Sequence, residues 1–277
     1  MQDIEWIEAL YRTLLGRPID DQAAQHYGGR AIPAQDGDAL ISGMLESDEF
    51  AARFSEFARR FLKGRGKLIN EQSQFGEVEW LIKAMVNEGA AHRQVVDVGA
   101  RGVERSNSFD LITGFGWKGL LIEANPALID DLQAALDGFP ATIVSCAVSD
   151  FEGETELFLG VNADVSSLTA SAAGEWGGLR GSVSVRVRRL AALLAEHGVP
   201  PDFDLLSLDI EGHDERVLND LVLHSPYRPR WIVIEASHDF SVRDLAQTSL
   251  APEVRAAYAM LGQTRANLIL RRTERPA

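Results

Sequence analysis

The stretch Asp204-Leu205-Leu206-Ser207-Leu208-Asp209-Ile210-Glu211-Gly212-His213-Asp214 is an apolar run that stops on two carboxylates, a glycine and a histidine. A short apolar run bounded by a turn signal reads as a strand buried on both faces, the habit of parallel sheets. Ligands of open α/β sheets sit beyond the carboxyl ends of such strands. Asp209, Glu211 and His213 should then project from a strand tip toward a ligand crevice. The competing reading is that Asp209 caps the helix starting near Asp214 and that Glu211 is solvated.

The same signature recurs upstream. Gln94-Val95-Val96-Asp97-Val98 runs into Gly99-Ala100-Arg101-Gly102, where glycines allow a tight turn and close approach of the backbone to a ligand. Leu120-Leu121-Ile122-Glu123 ends in an acid about 20 residues further on, where nucleotide folds place a ribose-binding carboxylate. Asn125-Pro126 then opens the next helix, with proline where a helix tolerates it. Trp231-Ile232-Val233-Ile234-Glu235 is a further buried strand ending in an acid.

Strands at 94–98, 119–123, 142–148, 154–159, 204–209 and 231–235 alternate with helices at 77–86, 190–197 and up to 223. This predicts an α/β fold with a mostly parallel, doubly wound sheet. Val183, Val185 and Val187 alternate as strand residues do. Ala257–Leu261 and Ala266–Arg271 read as an antiparallel hairpin closing the sheet edge. Residues 160–181 read as one long loop rich in Gly, Ser and Ala, a length typical of functional lids, with Trp176 and Arg180 able to grip a sugar.

Residues 1–62 read instead as a small all-α domain. Ile4, Ile7, Leu10, Tyr11, Leu14 and Leu15 follow helical spacing, and Gly16-Arg17-Pro18 ends that helix. Asp20 and Ser47 are cap residues for later helices, and Phe50, Phe54, Phe57 and Phe61 form a core stripe. Lys63-Gly64-Arg65-Gly66-Lys67 marks a linker, so the second domain spans 70–277.

A net charge of −14 repels phosphate backbones, which argues against nucleic acid as a partner. The single cysteine, Cys146, lies in an apolar run and makes no intrachain disulfide, as suits a reducing cytoplasm. No signal-peptide pattern opens the chain and no apolar run has the length of a membrane span, so the expected location is cytoplasmic.

Several short motifs, taken together and in order, resemble the FkbM-type methyltransferases. Asp204–Leu218 looks like the family's Asp-x-Glu-Gly signature. Ser73-Gln74-Phe75-Gly76-Glu77 resembles its entry motif. Ser106-Asn107-Ser108, Gly116-Trp117-Lys118-Gly119 and Ile122-Glu123-Ala124-Asn125-Pro126 follow. Ala147-Val148-Ser149-Asp150, Ser166-Ser167-Leu168 and Asn267-Leu268-Ile269 complete the series, which covers about residues 70 to 271. Residues 4–54 are similar to a bacterial helical domain of unknown function whose pattern is like that of phycobilisome linkers. That resemblance implies an interaction or positioning module with a protein partner.

The methyltransferase resemblance implies a Rossmann-like sheet and S-adenosylmethionine as the methyl donor. In the expected site, Glu123 takes the ribose hydroxyls, with Ala124 beside it. Asp97 holds the ammonium, and the backbone at Gly99 and Ala100 holds the rest of the amino acid tail. Asp150 meets the adenine amino group, Val148 lies along the adenine face, and Asp209 completes the donor site. No Gly-Lys-Ser/Thr motif is present, which argues against a nucleotide triphosphatase. His213 is the leading catalytic base, because its ordinary pKa lies near neutrality, with Asp209 and Glu211 as alternatives or as groups that orient the acceptor. A divalent cation is not expected; if one binds, its ligands are Asp209, Glu235 and His238. The resulting expectation is an O-methyltransferase acting on a saccharide or surface glycan. A small-metabolite O-methyltransferase is the alternative, as is a non-catalytic scaffold that keeps the fold.

Overall fold

The computed structural model describes residues 3–28, 34–45, 47–50, 72–161, 165–175, 177–235, 242 and 244–273. The expected stripe at Phe54, Phe57 and Phe61 and the linker at Lys63–Lys67 lie outside them. The chain divides into two compact units, Met1–Asn70 and Glu71–Ala277.

The first unit is helical: α1 (Asp3–Leu10), α2 (Asp21–Tyr27) and α3 (Ala34–Leu45). The single helix read over Ile4–Leu15 instead changes pitch at Tyr11–Leu15, a π-helical turn that ends at Gly16 with φ +73°. Asp20 caps α2 by accepting from the Ala23 amide at 2.9 Å. Arg17 forks onto both carboxylate oxygens of Glu49, at 2.5 and 3.0 Å, a bidentate pair that ties together positions 32 residues apart.

The second unit is built on a seven-stranded sheet. Its strands are β1 (Gln94–Val98), β2 (Lys118–Glu123), β3 (Ala141–Ser145), β8 (Leu205–Leu208), β9 (Trp231–Glu235), β10 (Tyr258–Gln263) and β11 (Asn267–Arg272). The order is β10-β11-β9-β8-β1-β2-β3. The five strands from β9 to β3 are parallel, while β11 runs antiparallel to β9 and β10 antiparallel to β11. This is the mostly parallel, doubly wound sheet with a C-terminal antiparallel hairpin that the apolar runs imply, and the Rossmann-like sheet that the resemblance implies.

Both faces are covered, which explains why the central strands are apolar throughout. On one face, Leu190, Leu193 and Leu194 of α8 (Leu190–Glu196) and Val217, Leu218 and Leu221 of α9 (Asp214–His224) pack on Val96, Val98, Ile122, Leu206, Leu208 and Ile234. On the other, α4 (Glu77–Glu88) buries Val78 and Leu81, and α5 (Phe109–Phe115) buries Leu111 and Ile112. A Cβ on Gly119 would lie 2.4 Å from Ile112 Cδ1, so α5 rests directly on β2.

Buried polar residues fix the strand ends. Asp204 accepts from the amides of Ala91, His92 and Gln94 at 2.7, 2.8 and 3.2 Å, pinning the start of β1 to the start of β8. Glu77 accepts from Thr264 and Asn267, at 2.6 and 2.8 Å, and from the Phe75 amide. The entry motif is thereby held against the C-terminal hairpin.

Three expectations are corrected. The run at 142–148 is two strands in two sheets, breaking at Cys146 between β3 and β4 (Ala147–Val148). The strands read at 154–159 and 183–187 are β5 (Gly153–Gly160) and β7 (Leu179–Arg188), and neither joins the main sheet. With β4 and β6 (Ser166–Ser167) they form a separate four-stranded sheet, β4-β7-β5-β6. Its strands are mostly amphipathic, burying Leu157, Val185 and Val187 on one side, so they cannot occupy a sheet buried on both faces. The expected loop at 160–181 contains β6, α7 (Ala170–Gly174) and the start of β7. Among the described residues no helix is long and apolar enough to cross a membrane.

Candidate active site

The tips of β1, β2, β8 and β9 open onto one cavity of about 430 Å³, within the usual range of small-molecule sites. Gly99 draws two of these tips together. Its φ is +86°, its amide donates to Ile122 O at 2.9 Å, and a Cβ there would lie 1.9 Å from Asp209 O. Only glycine fits a turn wedged that tightly between β2 and β8.

The cavity gathers nearly every residue expected from the sequence. Asp97, Gly99, Ala100, Glu123 and Ala124 line one part, with Ala147 and Val148 adjoining. Asp209, Glu211, His213 and Glu235 line another. Asp150 does not line it; its carboxylate takes the Ser149 hydroxyl at 3.2 Å and lies 3.7 Å from Arg216 Nη1. Arg180 lies on exposed β7 away from the lining, and Trp176 and His238 are outside the described residues.

Other participants had no role assigned from sequence. Ser108 donates to Asp97 at 2.5 Å, and Asn107 Nδ2 donates to Ser207 Oγ at 3.2 Å. Ser167, on β6, donates to the Glu211 carbonyl at 2.8 Å, tying the second sheet to the tip of β8. Ser106–Ser108 and Ser166–Leu168 stood out only as landmarks in a motif series. Arg101, Arg105 and Arg265 also line the cavity.

The loop after β8 has an unusual backbone. Glu211 has φ +54° and Gly212 φ +96°, and Asp214 closes the loop by accepting from the amides of Ile210 and Gly212 at 3.0 and 3.2 Å. A left-handed non-glycine residue held by a rigid frame is a common feature of functional sites. One carboxylate oxygen from each of Asp209, Glu211 and Glu235 lies within 4.8 Å of the other two. Two of the three residues named for a cation are thus together, joined by Glu211; the third, His238, lies outside the described residues. Spacing of this kind also arises in acidic clusters that hold no ion.

Burial dominates the electrostatics. It raises Glu123 to about 7, and Glu211, with Asp214 nearby, also to about 7. Burial and the neighbouring Asp209 push Glu235 up to about 9, and Asp209 itself is raised well above the carboxylate range. His213 is lowered by burial and by Arg216, with Asp150 opposing, so the ring stays neutral at neutral pH.

These shifts have a consequence for stability. Each raised carboxyl keeps its proton in the folded state at a pH where the unfolded chain has lost it. The folded state then binds more protons, and stability falls as pH rises through the window from about 4.5 to about 9. His213 acts in the opposite sense below its ordinary value, but as one group against several. The ligand-free protein is expected to melt several degrees lower at about pH 9 than at about pH 5.5. Equal melting temperatures across that range in differential scanning calorimetry would contradict the raised values.

Residues 90–258 match the family model described as the Methyltransferase FkbM domain. The chain belongs to the FkbM methyltransferase family. No curated protein matches it. Among solved structures, the FkbM chain is similar to a putative O-methyltransferase from Klebsiella pneumoniae. The identity is 13%, the alignment covers 85% of this chain and 94% of that one, and the TM-score is 0.36. It is also similar to the O-methyltransferase from Bacillus cereus in complex with SAH. Here the identity is 14%, the coverage 86% and 97%, and the TM-score again 0.36.

The FkbM chain thus carries a methyltransferase domain. The residues of its cavity suit S-adenosylmethionine, which has a ribose, a base and a cationic tail but no phosphate. Glu123 is a buried carboxylate whose Oε1 already accepts from the Asn125 amide at 2.6 Å, so its orientation is fixed in advance. Leu128, Ala147, Val148 and Leu168 give an apolar wall of the kind an adenine needs. Asn107 lines the cavity and its Oδ1 is a buried acceptor without a hydrogen-bond partner, a vacancy that a cationic donor group can fill.

Proposed function

We propose that this methyltransferase acts on a hydroxyl group, with a saccharide or surface glycan as the acceptor. One observation carries the reading: His213, a ring held neutral by burial, lines the same cavity as the glycine turn and Glu123. A hydroxyl needs its proton removed as its oxygen attacks carbon, and a neutral imidazole is suited to that task. The bound cofactor supplies an electrophilic methyl group on a sulfonium.

The chain's own residues do the rest. Glu123 accepts from the two ribose hydroxyls. Gly99, Ala100 and Asp97 hold the amino acid tail, with Asp97 fixed by Ser108. Val148 and Ala147 face the base. Asp209 and Glu211 orient the acceptor, and His213 takes the hydroxyl proton. Holding the acceptor oxygen near the methyl carbon supplies much of the rate by itself. The glycan part of the proposal leans on both resemblances, that of the methyltransferase motifs and that of the helical unit, whose bacterial relatives often accompany surface-glycan enzymes. A mass-spectrometric screen of glycans and small hydroxylated metabolites, incubated with donor and enzyme, tests it. A mass gain of one CH2 unit on a sugar hydroxyl supports the reading, and a gain confined to small metabolites replaces it with the alternative acceptor.

The helical unit is proposed to position the enzyme and to take no part in the chemistry. A chain beginning at Lys67 is then expected to fold and to bind the donor with unchanged affinity, because domain boundaries fall where few contacts cross. Isothermal titration calorimetry checks this. An insoluble or non-binding fragment would mean that the two units share a core.

A further inference from the structure

The mechanism above leaves one buried hydroxyl unused. Ser149 is fully buried just after β4, and its amide donates to the Arg188 carbonyl at 3.1 Å, so its position is fixed by the second sheet. Its Oγ lies 3.2 Å from Asp150 Oδ1 and 3.4 Å from His213 Nδ1. Asp150, which stands clear of the cavity, is held in turn near Arg216, one turn into the helix that His213 begins. Four residues thus form a chain of contacts running from the surface to the ring: Arg216, Asp150, Ser149 and His213.

The inventory of protons decides what this chain does. A serine hydroxyl has one hydrogen and two lone pairs, and a carboxylate only accepts. The Ser149 hydrogen goes to Asp150, the stronger acceptor and the nearer one. Ser149 then presents a lone pair to His213, and the nitrogen facing it must bring the hydrogen. In a neutral ring only one nitrogen carries a proton, so the other is left with a free lone pair.

We propose that Ser149 and Asp150 are positioning residues that hold His213 as its Nδ1–H tautomer and so leave Nε2 as the proton acceptor. This rests on the reading of His213 as the base, but the tautomer is a separate property of the ring. With the reverse assignment, Ser149 would donate to Nδ1 and Nε2 would carry the hydrogen. The ring would then have no lone pair for the acceptor hydroxyl. The hydrogen bond made by the second nitrogen is the usual device by which a protein chooses between these two forms.

The test uses the full-length protein labelled with 15N-histidine. Two-bond 1H–15N spectra distinguish the tautomers directly, and a His213→Asn spectrum assigns the signal among the six histidines. At about pH 8, where the ring is neutral, His213 is expected to show a protonated Nδ1 and a bare Nε2. Ser149→Ala is expected to lose that preference, and its kcat should fall at least about tenfold with KM for the donor unchanged. Ser149→Thr keeps the hydroxyl and should restore both. A protonated Nε2 in the natural protein overturns the proposal. So does a Ser149→Ala protein with unchanged tautomer and kcat. Full activity of His213→Asn, with the Nδ1–H signature intact in the natural protein, would instead overturn only the assignment of His213 as the base.

Discussion

His213→Ala is expected to lower kcat by about a hundredfold or more, the usual size of a general-base effect, and to leave donor affinity almost unchanged. The separation follows from where the side chains sit. The ring stands on the loop after β8 beside Glu211, whereas Glu123 and the glycine turn come from β2 and β1. Removing the ring therefore deletes a proton acceptor without touching the groups assigned to the cofactor. The pH–rate profile sharpens the test. Burial and Arg216 lower His213, so the acidic limb should fall below the ordinary histidine value and vanish in the alanine variant. Glu211→Gln keeps the shape of its side chain but removes its charge, and should change KM for the acceptor more than the limb itself. If His213→Ala keeps full activity while Asp209→Asn or Glu211→Gln loses it, the base is a carboxylate or a metal-bound group, and the effect of EDTA and magnesium on activity decides between those two.

Glu123→Ala is expected to weaken donor binding by about 1.5–3 kcal/mol, the loss of charge-assisted hydrogen bonds to two hydroxyls. That corresponds to roughly tenfold to a hundredfold in the dissociation constant. Calorimetric titration of the folded variant measures it, and unchanged affinity would remove Glu123 from the site. The pH dependence gives a second handle. Burial raises Glu123 to about 7, and its ionised form is the better partner for a cationic ligand, so donor affinity should increase as pH rises through that value. This trend should flatten in Glu123→Gln.

Much of this was legible in the sequence because buried parallel strands are apolar on both faces. Gln94–Val98, Leu120–Glu123 and Trp231–Glu235 each announce a strand and its tip in one run, and the tips are where the cavity lies. The break at Cys146 was not legible, since an apolar run reads alike whether it stays in one sheet or crosses to the next. Asp150 shows the same limit at the site. It follows a strand and reads as another tip carboxylate, but β4 belongs to the second sheet and turns it toward Arg216. The pairing of Asn107 with Ser207 joins positions 100 residues apart, and no local spacing encodes it. Glu211 is a case of the opposite kind. Propensity argues against a left-handed glutamate, and it is the frame of Asp214 and Ser167 that makes the conformation tolerable.

The second sheet leaves and rejoins the main fold at nearly one point: Ala147 pairs with Val187 and Val148 with Arg188. Everything between these residues hangs from a closed neck, so its length bears only weakly on the stability of the parent sheet, the entropy of closing a loop growing slowly with size. Among the described residues it meets the loop after β8 through Ser167, which donates to the Glu211 carbonyl, and through Ser149, whose Oγ lies 3.4 Å from His213 Nδ1. Such an attachment is modular. An insert of another length could hang from the same neck, provided that it kept Val148 and Leu168 on the cavity wall and Ser149 beside His213.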